Sequence, residues 1–378
     1  MDTSRTHKKK TGIKRLIACN IAILGLLLVI IEGLASYTLL IRDLIKAQPV
    51  AEQRHTRYDP DLGWVNKASL DIPDMYGRGV YLRTNAQGFR NDHDIATAVP
   101  SGRARLICSG DSFTFGYGVD NAHTWCEQLS LLEPRLETVN MGQGGYGVDQ
   151  AYLWYKRDAV KIKHQVQILA FITNDFDRMQ SDSFSGYPKP VADVENGALV
   201  FKNVPVPRLV YWNPQNASII RQLRIVDFFN RGLEKLRDAL TDSNQVTAIE
   251  RNGKPREVLR KLLEDLKRIN EQRSSKLVLV YLPTDYEVRG NGPREWTEFL
   301  EEESRSLGIP FINLFSEFRS LPESEMVKLF IPKGQVRYRG AEGHFNEAGN
   351  ELVARAIYSR LMKDPVIFDA LSARWNHG

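Results

Sequence analysis

The pattern of apolar and polar positions divides the chain into three stretches of different character. Residues 16–41, "LIACNIAILGLLLVIIEGLASYTLLI", are apolar apart from scattered small polar residues and the single charge of Glu32. As a helix this run reaches about 39 Å, enough to cross the hydrocarbon of a bilayer with some tilt. Residues 42–103 carry short β-type runs such as "GVYLRT", broken by Gly, Asp, Asn and Pro, and predict a stalk and an irregular β-containing lead-in. From Ala104 a strand-then-helix rhythm begins.

In that rhythm "ARLICS", "LETVNM", "VQILAFIT", "KLVLVYLP" and "IPFINLF" read as five strands. They are almost wholly apolar, as strands covered on both faces must be. Between and after them "HTWCEQLSLL", "VDQAYLWYKRDAVKI", "EWTEFLEEESRSLG" and "NEAGNELVARAIYSRLMK" read as helices. Alternating strands and helices predict an α/β domain, a parallel sheet with helices on both faces. One interruption, residues 176–275, separates the third and fourth strands. It holds a hairpin signal at Asn196-Gly197 and two charged amphipathic stretches. The expected organisation is a tail (1–15), a transmembrane helix (16–41), the stalk and lead-in (42–103) and an α/β domain (104–378) with the insertion 176–275.

Charge and cysteines add topology and little else. The formal net charge is +5, and Arg5, Lys8, Lys9, Lys10, Lys14 and Arg15 all precede the apolar run. The remainder is close to neutral, which gives no electrostatic case for a nucleic-acid partner. A basic tract before an apolar span keeps the N-terminus in the cytoplasm and sends the chain beyond the span across the membrane. The rival reading is a cleaved signal with its site at Gly33-Leu34-Ala35, for which the apolar run is long. Three cysteines are present. An exported domain could bridge Cys108 to Cys126, but two buried thiols are the favoured reading. No metal-ligand spacing appears, and no cofactor is expected.

The candidate chemistry lies at predicted strand ends, where parallel sheets place their ligands. After the first strand comes Gly110-Asp111-Ser112, after the second "NMGQGGYG", after the third Thr173-Asn174-Asp175, and before the last helix "GAEGHFNEAG". A serine hydroxyl needs a base. Of seven histidines, His344 alone lies in a glycine-bracketed loop leading into the last helix. A carboxylate should fix its tautomer, and Glu342 is the nearest, with Asp285 a weaker substitute. The amides of Ser112 and Gly145 and the side-chain amide of Asn174 could surround one oxyanion. Asp111 and Asp175 read as supporting residues that bond loop backbone.

These blocks resemble the SGNH/GDSL hydrolase family. Ser112 in "SGDSFTFGYGV", Gly145 in "VNMGQGGYG", Asn174 in "FITND" and His344 in "EGHFNEAG" stand in the family's order over roughly residues 104–360. The lead-in, with "YDPDLGW" and "TNAQGFRND", resembles membrane-anchored bacterial members. The resemblance implies a flavodoxin-like three-layer α/β/α fold and metal-free hydrolysis or transfer of ester-linked acyl groups. One departure is plain: where the family usually has aspartate two or three residues before the histidine, this chain has Glu342 and Ala341. The expected protein is thus a single-pass inner-membrane serine esterase facing the periplasm or exterior. Its expected substrates are O-acetylated envelope or secreted glycans, or lipids. An O-acyltransferase, or a non-catalytic glycan-binding or assembly subunit working with polysaccharide-biosynthesis partners, are the alternatives.

Overall fold

The computed structural model describes residues 3–45, 54–208, 225, 233, 254–291, 294–336 and 338–375. They fall into two compact units, one of residues 1–48 and 210–251 and the other of 49–209 and 252–378.

The first unit is built on helix α1 (Thr3–Ile45). Within it Arg15–Leu39 form a 25-residue segment long and apolar enough to cross a membrane. Leu16, Leu24, Leu28 and Ile30 within it are exposed, whereas Leu39 at its end is buried. The half-buried Glu32 accepts a hydrogen bond from the Ile225 amide at 3.0 Å. Apart from residues 225 and 233, the first amphipathic stretch of the insertion, 217–240, lies outside the described residues.

The second unit contains five parallel strands: β1 (Ala104–Gly110), β2 (Leu136–Gly142), β3 (Val166–Phe171), β4 (Lys276–Tyr281) and β5 (Phe311–Asn313). Their spatial order is 2-1-3-4-5, the flavodoxin-like order, whose reversal at β1/β3 leaves a crevice at the strands' C-terminal ends. Side chains alternate between the two faces as period two requires. Ile107, Leu169, Leu277 and Leu279 join one core, and Leu106, Cys108, Ile168, Val278 and Val280 join the other.

Helices cover both faces. Residues of α3 (Trp125–Leu132) and of the helix Glu347–Lys363 enter the second core. Those of α4 (Val148–Arg157) and of the helices Lys254–Gln272 and Arg294–Leu307 enter the first. The helix Lys254–Gln272 buries Val258, Leu259, Leu262, Leu263, Leu266 and Ile269, a 3.6-residue stripe. The second amphipathic stretch of the expected insertion is therefore the crossover from β3 to β4, an integral layer of the domain. A further helix, Pro365–Trp375, follows the one expected to close the chain, with proline at its first position, where no amide partner is lost.

Cys108 and Cys126 form a disulfide, with Cα atoms 6.2 Å apart. This corrects the preference for two buried thiols: β1 and α3 pack closely enough to bring both sulfurs together in one core. Closing a loop of 18 residues limits the unfolded chain by about 3 kcal/mol in the chain-entropy model. The Asn196-Gly197 turn joins Val191–Glu195 to Ala198–Lys202, with φ of 52° and 76° at its two residues, as a type I′ turn requires.

The lead-in is stitched to the outer strand β2 and to the loop that follows it. Asn91 accepts from the Asn140 amide at 3.1 Å and donates to the Thr138 carbonyl at 2.8 Å, which covers the free edge of β2. Trp64 Nε1 donates to the Gly144 carbonyl at 2.8 Å and Tyr146 Oη to the Trp64 carbonyl at 2.6 Å.

Candidate active site

Ser112 opens the short helix α2 (Ser112–Phe115), capped by Asp111. Asp111 Oδ1 accepts from the Phe113 amide at 2.8 Å, so the carboxylate serves one of the helix's orphan donors. The turn has no room for side chains at its glycines. A Cβ on Gly110 would lie 2.4 Å from the Ala170 carbonyl, and one on Gly142 2.0 Å from the Phe115 amide nitrogen. Only glycine lets the three strand ends converge here.

His344 reaches Ser112 from 232 residues away, with Nε2 2.7 Å from Oγ. Its loop is held by two backbone bonds to Ile331, the Ile331 amide donating to the His344 carbonyl and the Gly343 amide to the Ile331 carbonyl, both at 2.8 Å. The Phe113 ring stacks on the imidazole at 4.4 Å between centroids. For Ser112 to donate to Nε2, the ring proton must sit on Nδ1. Nδ1 is buried and has no aligned acceptor among the described residues. The carbonyls of Glu342 and Ala341 are near enough to favour the protonated ring without taking a well-aligned hydrogen bond.

Glu342 is not where the sequence reading puts it. Its Oε1 accepts from the Gly334 amide at 2.8 Å, at the exposed side of the loop. Gly343, with φ +78°, turns the chain between residues 342 and 344, and the carboxylate and imidazole part company. Asp285 is engaged by Arg289 Nε at 2.8 Å. The carboxylate that bears on His344 is Asp111, whose charge raises the imidazole's proton affinity and whose Oδ2 lies 3.4 Å from Ser112 Oγ.

Burial drives the His344 ring down to about 4, against the pull of Asp111 and the two carbonyls and with some help from Arg178. A base works only when neutral, so kcat/KM should hold from neutral pH downward and fall as pH drops through about 4. Stability follows the same sign. Unfolded histidines charge below their ordinary 6.5, whereas burial holds folded His55 at about 3 and His164 at about 4. The stability contributed by neutral His344, His55 and His164 is present above pH 6.5 and is lost as pH falls through their folded values. The loss should steepen by about 1.4 kcal/mol per pH unit for each. A pH–rate profile and acid denaturation check both; a rate limb at 6.5 would contradict the burial argument.

The expected oxyanion donors stand at adjacent strand ends. Gly110 of β1 pairs with Gly142 of β2, and Ser109 with Leu169 of β3. Gly145 adopts φ +78° in a loop so tight that a Cβ on Gly144 would lie 1.8 Å from the Tyr117 hydroxyl. Asn174 is the exposed first residue of α5 (Asn174–Met179). Thr173 before it is braced through its hydroxyl to Glu287 Oε1 at 2.5 Å. Asp175 Oδ2 accepts from the Ile172 amide at 3.1 Å. Asp111 and Asp175 thus both bond loop backbone.

Two arginines belong to the site that sequence reading missed. Arg178 Nη1 donates to Asp175 Oδ1 at 2.7 Å, to Asp111 Oδ2 at 3.1 Å and to the Tyr146 carbonyl at 3.2 Å. Its spacing of three from Asp175 on one helix was the available signal. Arg90 of the lead-in donates to the carbonyls of Phe115 at 2.7 Å, Gly116 at 2.5 Å and Val119 at 2.5 Å, and to Asn121 Oδ1 at 2.9 Å. It had no local signal.

No family model and no curated protein matches the chain. Solved structures it is similar to include a member of the lipolytic protein G-D-S-L family from Veillonella parvula DSM 2008, 15% identical, over 69% of this chain and 100% of that one with a TM-score of 0.39. Another is the lipase/acylhydrolase from Enterococcus faecalis, 13% identical, over 68% of this chain and 95% of that one with a TM-score of 0.37. A third is an acetyl xylan esterase, 13% identical, over 68% and 98% with a TM-score of 0.38.

Proposed function

We propose that this chain is a serine esterase acting on ester-linked acyl groups through an acyl-serine intermediate. The observation that carries it is the 2.7 Å contact of Ser112 Oγ with His344 Nε2, made by residues 232 positions apart. Ser112 Oγ attacks the ester carbonyl while His344 Nε2 takes its proton. The oxyanion is received by the amides of Ser112 and Gly145 and the Asn174 side chain. Collapse breaks the bond to the alcohol oxygen, which leaves with the proton held by His344. Water then attacks the acyl-serine, giving its proton to His344, and the acid departs as Ser112 recovers its hydrogen. With no carboxylate on Nδ1 among the described residues, the imidazolium is stabilised chiefly by the Asp111 charge and the two main-chain carbonyls.

Residues 16–41 support a membrane-anchored enzyme whose catalytic domain works on the far side of the inner membrane. That placement favours O-acetylated glycans or lipids of the envelope as substrates. In the detergent-solubilised full chain, Ser112→Ala should lower hydrolysis of a nitrophenyl acetate by about 10⁴-fold or more and abolish covalent labelling by a fluorophosphonate. Equal rates in the two proteins would remove the esterase reading.

A further inference from the structure

We propose that Arg178 is the positioning residue of the oxyanion hole, one guanidinium that fixes the loops carrying Ser112, Gly145 and Asn174 relative to one another. The inference rests on the esterase reading above and adds to it the element that makes three loops act as one site.

Each partner of Arg178 is the immediate neighbour of one donor. Asp111 precedes Ser112, Tyr146 follows Gly145 and Asp175 follows Asn174. Nη1 meets all three at 2.7–3.2 Å. Donors useful to an oxyanion must lie within a few tenths of an ångström of their ideal places, and these come from the ends of three different strands. A brace that touches the neighbouring residue of every donor is the shortest mechanical link between them.

The surroundings leave the brace little freedom. Asp111 and Asp175 are 1% and 2% exposed, so their charges need a partner inside the protein. Burial and the Asp111 charge hold the Asp175 carboxyl well above the usual range, with Arg178 opposing both. Without the guanidinium the Asp111 side chain, the Asp175 side chain and the Tyr146 carbonyl would lose their common partner, and the loops would move apart. Phe184, from the first part of the insertion, lies against the guanidinium at 5.0 Å. A Cβ on Gly147 would lie 2.8 Å from the Met179 amide nitrogen, so the glycine loop already rests on the helix that carries Arg178. Lysine keeps a charge with three donors on one nitrogen but lacks the guanidinium plane that lies against Phe184, so it replaces the brace only in part.

The test compares wild type, Arg178→Gln and Arg178→Lys as detergent-solubilised full chains. Rates on nitrophenyl acetate are taken per Ser112 titrated with a fluorophosphonate, which removes misfolded molecules from the count. Amide hydrogen exchange is followed in peptides covering 143–147, 172–176 and, as reference, β3. Arg178→Gln should lower kcat about 100-fold with KM within about threefold, the signature of donors that serve the transition state. Arg178→Lys should recover part of this. Both loops should exchange faster while β3 keeps its protection. A kcat per titrated serine within threefold of wild type overturns the proposal, as does unchanged exchange in both loops. Faster exchange throughout the sheet also overturns it, since Arg178 would then serve only the fold. A wild type that neither hydrolyses nor labels refutes the esterase reading instead, and the exchange pattern still decides whether Arg178 braces the loops.

Discussion

Replacing His344 by alanine is expected to lower kcat by about 10⁴- to 10⁶-fold, while Glu342→Gln changes it by no more than about threefold, as for a surface substitution. The contrast follows from where each side chain points. His344 Nε2 lies 2.7 Å from Ser112 Oγ, and no other described histidine touches that hydroxyl. Without the imidazole the serine keeps its proton near neutral pH and is a poor nucleophile. Glu342 spends its carboxylate on the Gly334 amide, a bond that the carbonyl oxygen of glutamine accepts equally well. Steady-state rates for the two variants on one acetyl ester decide the matter. A hundredfold loss in Glu342→Gln would show that its carboxylate swings onto Nδ1 during turnover, and the Ser112–His344 dyad would have to become a triad.

Arg90→Met should destabilise the folded chain by about 3–5 kcal/mol, measured by denaturant unfolding. Methionine fills much of the space but donates nothing. The carbonyls of Phe115, Gly116 and Val119 and the Asn121 side-chain oxygen would each lose a partner in a buried place. Stranding even one such acceptor costs about 1–3 kcal/mol. Burial lowers the proton affinity of Arg90, yet four acceptors and the rings of Phe115 and Tyr76 at 4.9 and 5.7 Å hold it. Arg83→Met is the matched control, since Arg83 and its partner Asp71 are 46% and 59% exposed and such surface pairs add little to stability. Equal stability of Arg90→Met and wild type would mean that the lead-in is a separable appendage. The expected loss makes it a part of the folded unit that carries Ser112, because the turn after Ser112 is held from the lead-in side.

The sequence by itself determined the membrane-length segment, the five sheet strands and the positions of Ser112 and His344. These are legible because their signals are local. A strand buried on both faces must be apolar along its length, and the crossover and flanking helices show their 3.6-residue stripes within a single window. Ser112 and His344 stood out because glycines crowd the turns that carry them. Tertiary structure decided what depends on distance in space rather than along the chain. Arg178 meets Asp111 across 67 positions and Tyr146 across 32. Arg90 meets the turn after Ser112 across 25–29, and Cys108 finds Cys126 only because β1 and α3 share a core. Glu342 shows the converse limit: it is two residues from His344, yet, with left-handed Gly343 between them, its carboxylate bonds the Gly334 amide instead. Proximity in sequence fixes neither the direction of a side chain nor its partner; the backbone path through the folded chain does.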